Sequence, residues 1–195
     1  MYLVILLAYA LLGLVFLIEY CYEYKRTAST IQIAGDDGGS SRYLISAWFL
    51  CLLVVPCLSW AIPLSIWSGA SGLGFILLML GILLMRWTTY ANRYYLRAMA
   101  TTDDQLICTE GPYSYIRHPG YLGYLLAWIG FGLTLDHWIG LILVVVSIGI
   151  AYTKRILAEE QMMLDRFGVG YQHYMDETYS MISPYLMSKW CLKRT

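Results

Sequence analysis

The sequence predicts an all-α, polytopic membrane protein with five transmembrane helices, and three observations carry that expectation. Its 195 residues are 59% hydrophobic and 13% charged, against about half apolar and a quarter charged in soluble domains. The apolar residues fall in blocks close to the roughly twenty residues a helix needs to cross a bilayer. With five such blocks, all 13 Lys and Arg lie on one side of the membrane, as the basic residues of cytoplasmic loops do.

The first block runs from about Tyr2 to Tyr20. No basic stretch precedes it and no small-residue cleavage site follows it, so it reads as a retained helix and not a cleaved signal. A polar loop over 25–43 comes next, and its Gly/Asp/Ser stretch from Ile31 to Ser41 reads as a flexible connector. The second block runs from about Leu44 to Trp67 and holds Pro56 and Pro63. Both are expected to kink it, which membranes tolerate where neighbours satisfy the freed carbonyls.

The third block runs from about Gly69 to Tyr90. Its leading "SGASGLG", Ser68 to Gly74, contains a G-x-G pair that opens a helix and follows no strand. A dinucleotide fold is excluded on that ground, and small residues for close helix packing in lipid are the better account. The fourth and fifth blocks, Pro119 to Leu135 and Trp138 to Ile156, are separated only by Asp136 and His137, which predicts a tight antiparallel hairpin.

Charge supplies the orientation. Lys25, Arg26 and Arg42 follow the first span, Arg86, Arg93, Arg97 and Arg117 the third, and Lys154, Arg155, Arg166, Lys189, Lys193 and Arg194 the fifth. The N-terminus is therefore expected outside and the C-terminus in the cytoplasm. The chain reads as one integral membrane domain, with three helices in 1–91 and a catalytic half in 92–195 that contains the hairpin 119–156.

The five cysteines are odd in number and form no C-x-x-C pair, which argues against a disulfide framework or a zinc site. Cys191 stands fifth from the end, so the tail is not a prenylation box. No basic patch interleaved with aromatic residues away from lipid suggests nucleic acid.

Two polar parts face the same side: the segment from Asn92 to His118, and the region after the fifth span. Chemistry is expected between them. Charged groups at a bilayer boundary are costly without partners or water, which makes Arg117, His118 and Arg155 candidates. Pro119 suits a first helical position, and the free N–H groups of that helix start, with His118 and Tyr121 beside them, form an anion site. The alternative is that Arg117 and His118 snorkel to lipid phosphates.

Arg155 and Glu159, spaced i, i+4, share a helix face. They form either an ordinary helical ion pair or two walls of a pocket under the hairpin. Glu160 lies on another face, in line with Leu164, Phe167, Tyr171 and Tyr174, and reads as structural. Gly168 and Gly170 are expected to interrupt the helix, so that the tail folds back with Tyr171 and Tyr174 beneath the membrane.

With these residues in view, "LICTEGPYSYIRHPGYLG" (Leu106 to Gly123) and "RILAEEQMMLDRFGVGYQHY" (Arg155 to Tyr174) resemble the isoprenylcysteine carboxyl methyltransferase family. The resemblance covers about the C-terminal half, the larger members having more spans, and is that of a minimal prokaryotic-type member. It implies an enzyme that uses S-adenosylmethionine, leaving S-adenosylhomocysteine, to methylate the C-terminal carboxylate of a prenylated cysteine. No metal is implied.

Carried over by position, the cofactor is lined by Gln105, Leu106, Ile107, Cys108, Tyr113, His118, Pro119, Gly120, Tyr121 and Glu159, on the cytosolic side and without a Rossmann fold. Arg155 holds the substrate, and Arg155 and Glu159 are the catalytic pair. The substrate, a protein C-terminus or a small molecule, enters from the bilayer. The membrane is the plasma membrane in a prokaryote and the endoplasmic reticulum in a eukaryote. The alternatives are a membrane methyltransferase acting on a phospholipid amine or another lipid-like substrate, a non-catalytic lipid-binding protein, and a membrane reductase that binds a nicotinamide cofactor.

Overall fold

The computed structural model describes residues 2–25, 31–33, 37–62, 64–66, 69–96, 100–102 and 104–181. Helix α1 spans Tyr2–Lys25 and α2 spans Ser40–Phe49, which continues through a π-helical stretch, Leu50–Val54, into α3, Val55–Ala61. Helix α4 spans Ala70–Ala91, α5 Pro119–Thr134, α6 Trp138–Phe167 and α7 Val169–Glu177.

Among the described residues four helical stretches are long and apolar enough to cross a membrane: Leu3–Tyr24, Ser40–Ala61, Ala70–Ala91 and Trp138–Phe167. The fold is helical, with one addition that the sequence does not announce. Strand β1, Ile31–Ile33, pairs antiparallel with β2, Ala100–Thr102.

The second apolar block starts and stops earlier than its hydropathy suggests. It runs from Ser40 to Ala61, not from Leu44 to Trp67. Proline has no N–H to donate and its ring crowds the carbonyl four residues back, and the π-helical turns lie immediately before and around that carbonyl of Leu52, ahead of Pro56. Ile62 is extended, with φ −131° and ψ 101°, as a residue before proline prefers. Pro63 itself lies outside the described residues.

The fourth block, read as a span, is a 16-residue helix, α5. At 1.5 Å per residue it is about 24 Å long, and α1, α4 and α6 surround it. Its contact with α4 is close because glycines face each other. A methyl group on Gly81 would stand 2.6 Å from the Gly123 carbonyl oxygen, and one on Gly130 would stand 2.6 Å from that of Gly74. Gly74, from the small-residue stretch, is therefore a packing residue, whereas Gly72 has nothing within 4 Å.

The hairpin turn is as short as the sequence requires. Asp136 adopts φ 48°, and its carboxylate accepts bonds from the Ser65 hydroxyl at 2.5 Å and the Ile66 N–H at 2.9 Å. His137 then starts α6, its Nδ1 accepting the Gly140 N–H at 2.9 Å.

Helix α6 runs eleven residues beyond the expected boundary at Ile156, to Phe167. Gly168, at φ 53°, breaks it, and the chain turns into α7. Gly170 lies inside α7 and interrupts nothing.

The glycine contacts give a first test. Gly130→Ala is expected to lower detergent-solubilised stability by about 1–3 kcal/mol, the usual cost of overpacking. Gly149→Ala, where a methyl meets nothing within 4 Å, should leave it unchanged or slightly raised. Thermal unfolding of the two variants measures the difference.

Candidate active site

The inner end of α5 is where the polar residues gather. Gly111 prepares it: at φ 59° it lets the chain turn against α4, where a methyl would meet the Ala91 side chain at 2.8 Å. A short 3₁₀ turn, Gly111–Ser114, follows and sends Tyr113 inward. His118 then precedes Pro119, the first residue of α5, as expected for proline at that position.

Arg117 and Glu160 form a buried ion pair, Nε to Oε1 at 3.0 Å, and His118 Nε2 lies 3.0 Å from the same oxygen. Arg117 also donates through Nη1 to the carbonyls of Met175, at 2.9 Å, and Thr178, at 2.5 Å. Its guanidinium thus caps the end of α7, where carbonyls lack helical partners. The backbone joins in, the Arg117 N–H donating to Tyr179 O at 2.9 Å and the Tyr179 N–H to Tyr115 O at 3.1 Å. Arg117 and His118 do not snorkel to lipid: they tie α5, α6 and the segment after α7 into one corner.

Above this corner lies a cavity of about 1010 Å³, counting the part open to solvent. Gln105, Leu106, Ile107, Cys108, Tyr113, His118, Gly120, Tyr121, Arg155 and Glu159 line it, as do Tyr171 and Tyr174. Of the residues expected at a site, Pro119 does not line it. Glu159 accepts the Tyr121 hydroxyl at 2.5 Å. Rings continue the wall: His118 stacks on Tyr121 at 5.7 Å, Tyr121 lies 5.4 Å from Tyr152, and Tyr152 stacks on Tyr124 at 5.8 Å. Burial, the largest cause, raises the phenols of Tyr95, Tyr113, Tyr171 and Tyr174 above their ordinary value, so these groups stay hydroxyl donors.

Arg155 is 6% exposed and stands differently from Arg117. Its Nη1 is 3.3 Å from the hydroxyls of Ser40 and Ser41 and 4.0 Å from Asp37 Oδ2. The Asp37 carboxylate accepts the N–H groups of Gly39 and Ser41, each at 2.9 Å, at the start of α2. Hydrogen bonds from Ser41, side chain and then backbone, hold its pKa down at about 2, with Arg155 helping least. Residues 37–41 of the stretch read as a flexible connector are therefore a built element that caps α2 and borders Arg155.

The sequence reading missed residues of the other half of the cavity. Glu19 of α1, Leu44 and Trp48 of α2, and Tyr124 and Tyr152 of the hairpin all line it. Glu19 was legible in principle, as an acid inside an apolar helix. Trp48 and the tyrosines carry no such signal, since aromatic residues in membrane helices are ordinarily packing.

A family model for phospholipid methyltransferases matches residues 70–169. A protein-S-isoprenylcysteine O-methyltransferase of Schizosaccharomyces pombe is 29% identical over 85 residues, 44% of this chain and 36% of the relative. One of Tribolium castaneum is 27% identical over 110 residues, 55% of this chain and 39% of the relative. The chain thus spans well under half the length of either. A solved eukaryotic intramembrane Ras methyltransferase, isoprenylcysteine carboxyl methyltransferase, superposes with a TM-score of 0.56 at 21% identity. That match covers 77% of this chain and 54% of that one, and it bears on the fold.

The corner predicts its own failure. Glu160→Ala leaves Arg117 buried and unpaired, a loss that typically costs about 3–5 kcal/mol. The variant should unfold at markedly lower temperature, and limited proteolysis should cut after α7 sooner than in the wild type.

Proposed function

The chain belongs to the phospholipid methyltransferase family, and from that premise we propose that it transfers a methyl group from S-adenosylmethionine to the C-terminal carboxylate of an S-isoprenylated cysteine. The observation that carries this reading is Arg155, a buried guanidinium on the wall of the cavity that also holds Glu159 and the start of α5. The activity of the two isoprenylcysteine methyltransferase relatives supports it.

The residues fit the cofactor. The first N–H groups of α5 have no helical partners, and Gly120 and Tyr121 bring that positive end to the cavity, which suits the cofactor's carboxylate. Glu159 and Gln105 suit hydroxyl and amino groups, and the rings of Tyr113, Tyr171 and Tyr174 offer flat walls. When bound, S-adenosylmethionine supplies a methyl group on a positively charged sulfur.

Arg155 would hold the substrate carboxylate through its planar fork. A carboxylate arrives ionised, so the chain needs no general base, and its work is alignment. Glu159 and Tyr121, hydrogen-bonded to each other, would fix the boundary between the two ligands. His118 acts from behind: held by Glu160, it backs the Tyr121 ring. Burial of the cavity between α1, α2, α5 and α6 would exclude water.

The membrane arrangement follows the charge. We take α5 as a fifth, short crossing, sheathed by protein, which places the N-terminus outside and the cavity on the cytosolic side with all basic residues. The prenyl chain then comes from the bilayer and the cofactor from the cytosol.

The test supplies labelled S-adenosylmethionine to the purified protein with a prenylcysteine compound and, in parallel, with phosphatidylethanolamine. Methyl ester on the first and no methylation of the second is expected; the reverse pattern overturns the reading. Arg155→Ala should cut transfer by about 100-fold or more, in line with truncating one member of a buried charge pair, while cofactor affinity stays within about twofold. His118→Ala should weaken cofactor binding. Equal transfer rates for the wild type and Arg155→Ala would remove Arg155 from substrate binding.

A further inference from the structure

Arg155 is tied to a part of the molecule that the matched segment, 70–169, does not reach: residues 37–41, which precede and open α2. Ser40 is 1% exposed. Its hydroxyl oxygen accepts a hydrogen bond from Arg155 Nη1 at 3.3 Å, and the hydroxyl donates in turn to Asp37 Oδ2 at 3.4 Å. Ser41 repeats the pattern, with its oxygen 3.3 Å from the same nitrogen and its hydroxyl bonded to Asp37.

The direction of these bonds is forced. A guanidinium has only donors and an ionised carboxylate only acceptors, so each hydroxyl accepts from Arg155 and passes its own hydrogen to Asp37. A serine hydroxyl ordinarily rotates to suit its surroundings; fixed at both ends, these two pin Nη1 to one point on α2. That point is itself held. Asp37 accepts the N–H groups of Gly39 and Ser41, and Lys154, the neighbour of Arg155, lies with Nζ 4.5 Å from the centre of the Tyr43 ring. Further along the same two helices, Cys51 Sγ and Ser147 Oγ are 3.4 Å apart.

The two buried arginines of the site are thus held in different ways. Arg117 meets its acid directly, at 3.0 Å. Arg155 meets Asp37 across two neutral hydroxyls, with 4.0 Å between Nη1 and Oδ2. From α5 the Tyr121 hydroxyl also bonds to Arg155 while it donates to Glu159. An arginine side chain has many rotamers to lose on binding a ligand, and holding it beforehand removes that cost. In a reaction whose catalysis is alignment, the angle of the fork matters as much as its charge.

We propose that Ser40 and Ser41 are positioning residues for Arg155: tethered to Asp37, they set the angle at which the guanidinium meets the substrate carboxylate. This rests on the activity proposed above. The start of α2 then contributes to substrate recognition without touching the substrate.

The test measures binding of N-acetyl-S-farnesylcysteine and of its uncharged carboxamide, with S-adenosylhomocysteine present, to the wild type and to variants. The wild type should bind the carboxylate at least about tenfold more tightly than the amide. Ser40→Ala combined with Ser41→Ala should weaken the carboxylate by about tenfold, as for hydrogen bonds to a charged group, and leave the amide within about twofold. Ser41→Ala alone, at an exposed position, should move the same way by less, and Ser41→Thr, which keeps a hydroxyl, should match the wild type. In turnover the pair should raise the KM for the prenylcysteine and leave that for S-adenosylmethionine unchanged. In an Arg155→Ala background the serine substitutions should have no further effect, because they act through that side chain.

Equal weakening of both ligands makes the serines structural and overturns the proposal. So does a loss that persists in the Arg155→Ala background, or a carboxylate preference that Arg155→Ala removes and the serine pair leaves intact; the activity then stands without the positioning role. A wild type that binds carboxylate and amide alike overturns the substrate assignment of Arg155, and the positioning role with it.

Discussion

The buried carboxylate of Glu160 is the point on which the cytosolic end of the molecule turns. It lies on α6 and meets Arg117 and His118, the two residues that lead into α5. Arg117 in turn holds the carbonyls at the end of α7. One acid therefore joins the start of α5 to α6, more than forty residues further along the chain, and through Arg117 to the end of α7. A buried ion pair adds little net stability, since desolvation offsets attraction; what it supplies is a fixed geometry, because each partner left alone would be a buried charge. The floor of the cavity is set in this way, and Tyr171 and Tyr174 come up from α7 to complete it.

The side walls depend on a different constraint, close contact between α4 and α5. In lipid, apolar side chains gain nothing by leaving the hydrocarbon for one another, so helices associate through packing and hydrogen bonds. Glycines at 74 and 81 on α4 and at 123 and 130 on α5 bring the backbones together. That contact leaves the opposite side of α5, with Tyr121, Tyr124 and Trp128, turned toward α1, α2 and α6. A 16-residue helix suffices because its surroundings are mainly protein.

Much of this was legible in the sequence, and the reasons for the exceptions are specific. Hydropathy located the apolar helices, and the two-residue link Asp136–His137 fixed the hairpin. The boundaries of the second helix were not legible, because a π-helical stretch ahead of Pro56 and the stop at Ala61 both fall inside an uninterrupted apolar run. The end of α6 was missed for the opposite reason: "KRILAEEQMMLDRF" leaves the lipid but keeps helical periodicity to Gly168. Arg117 was ambiguous between lipid phosphate and protein partner, and only the return of α7 decides it. Asp37, Ser40 and Ser41 belong to a composition typical of linkers. Their role depends on Arg155, more than a hundred residues away.

The division between recognisable and unrecognisable parts has a physical meaning. The matched segment, 70–169, contains the start of α5, Arg155, Glu159 and Glu160. The buried ion pair that anchors α5 against α6, Arg117 with Glu160, therefore lies wholly inside it. Helices α1 and α2 lie outside that segment, yet they carry Glu19, Ser40, Leu44 and Trp48, which close the remaining side of the same chamber. The chamber is thus closed jointly by helices inside and outside the matched segment, and the Glu19 carboxylate, held by the hydroxyls of Tyr95 and Tyr124, comes from outside it.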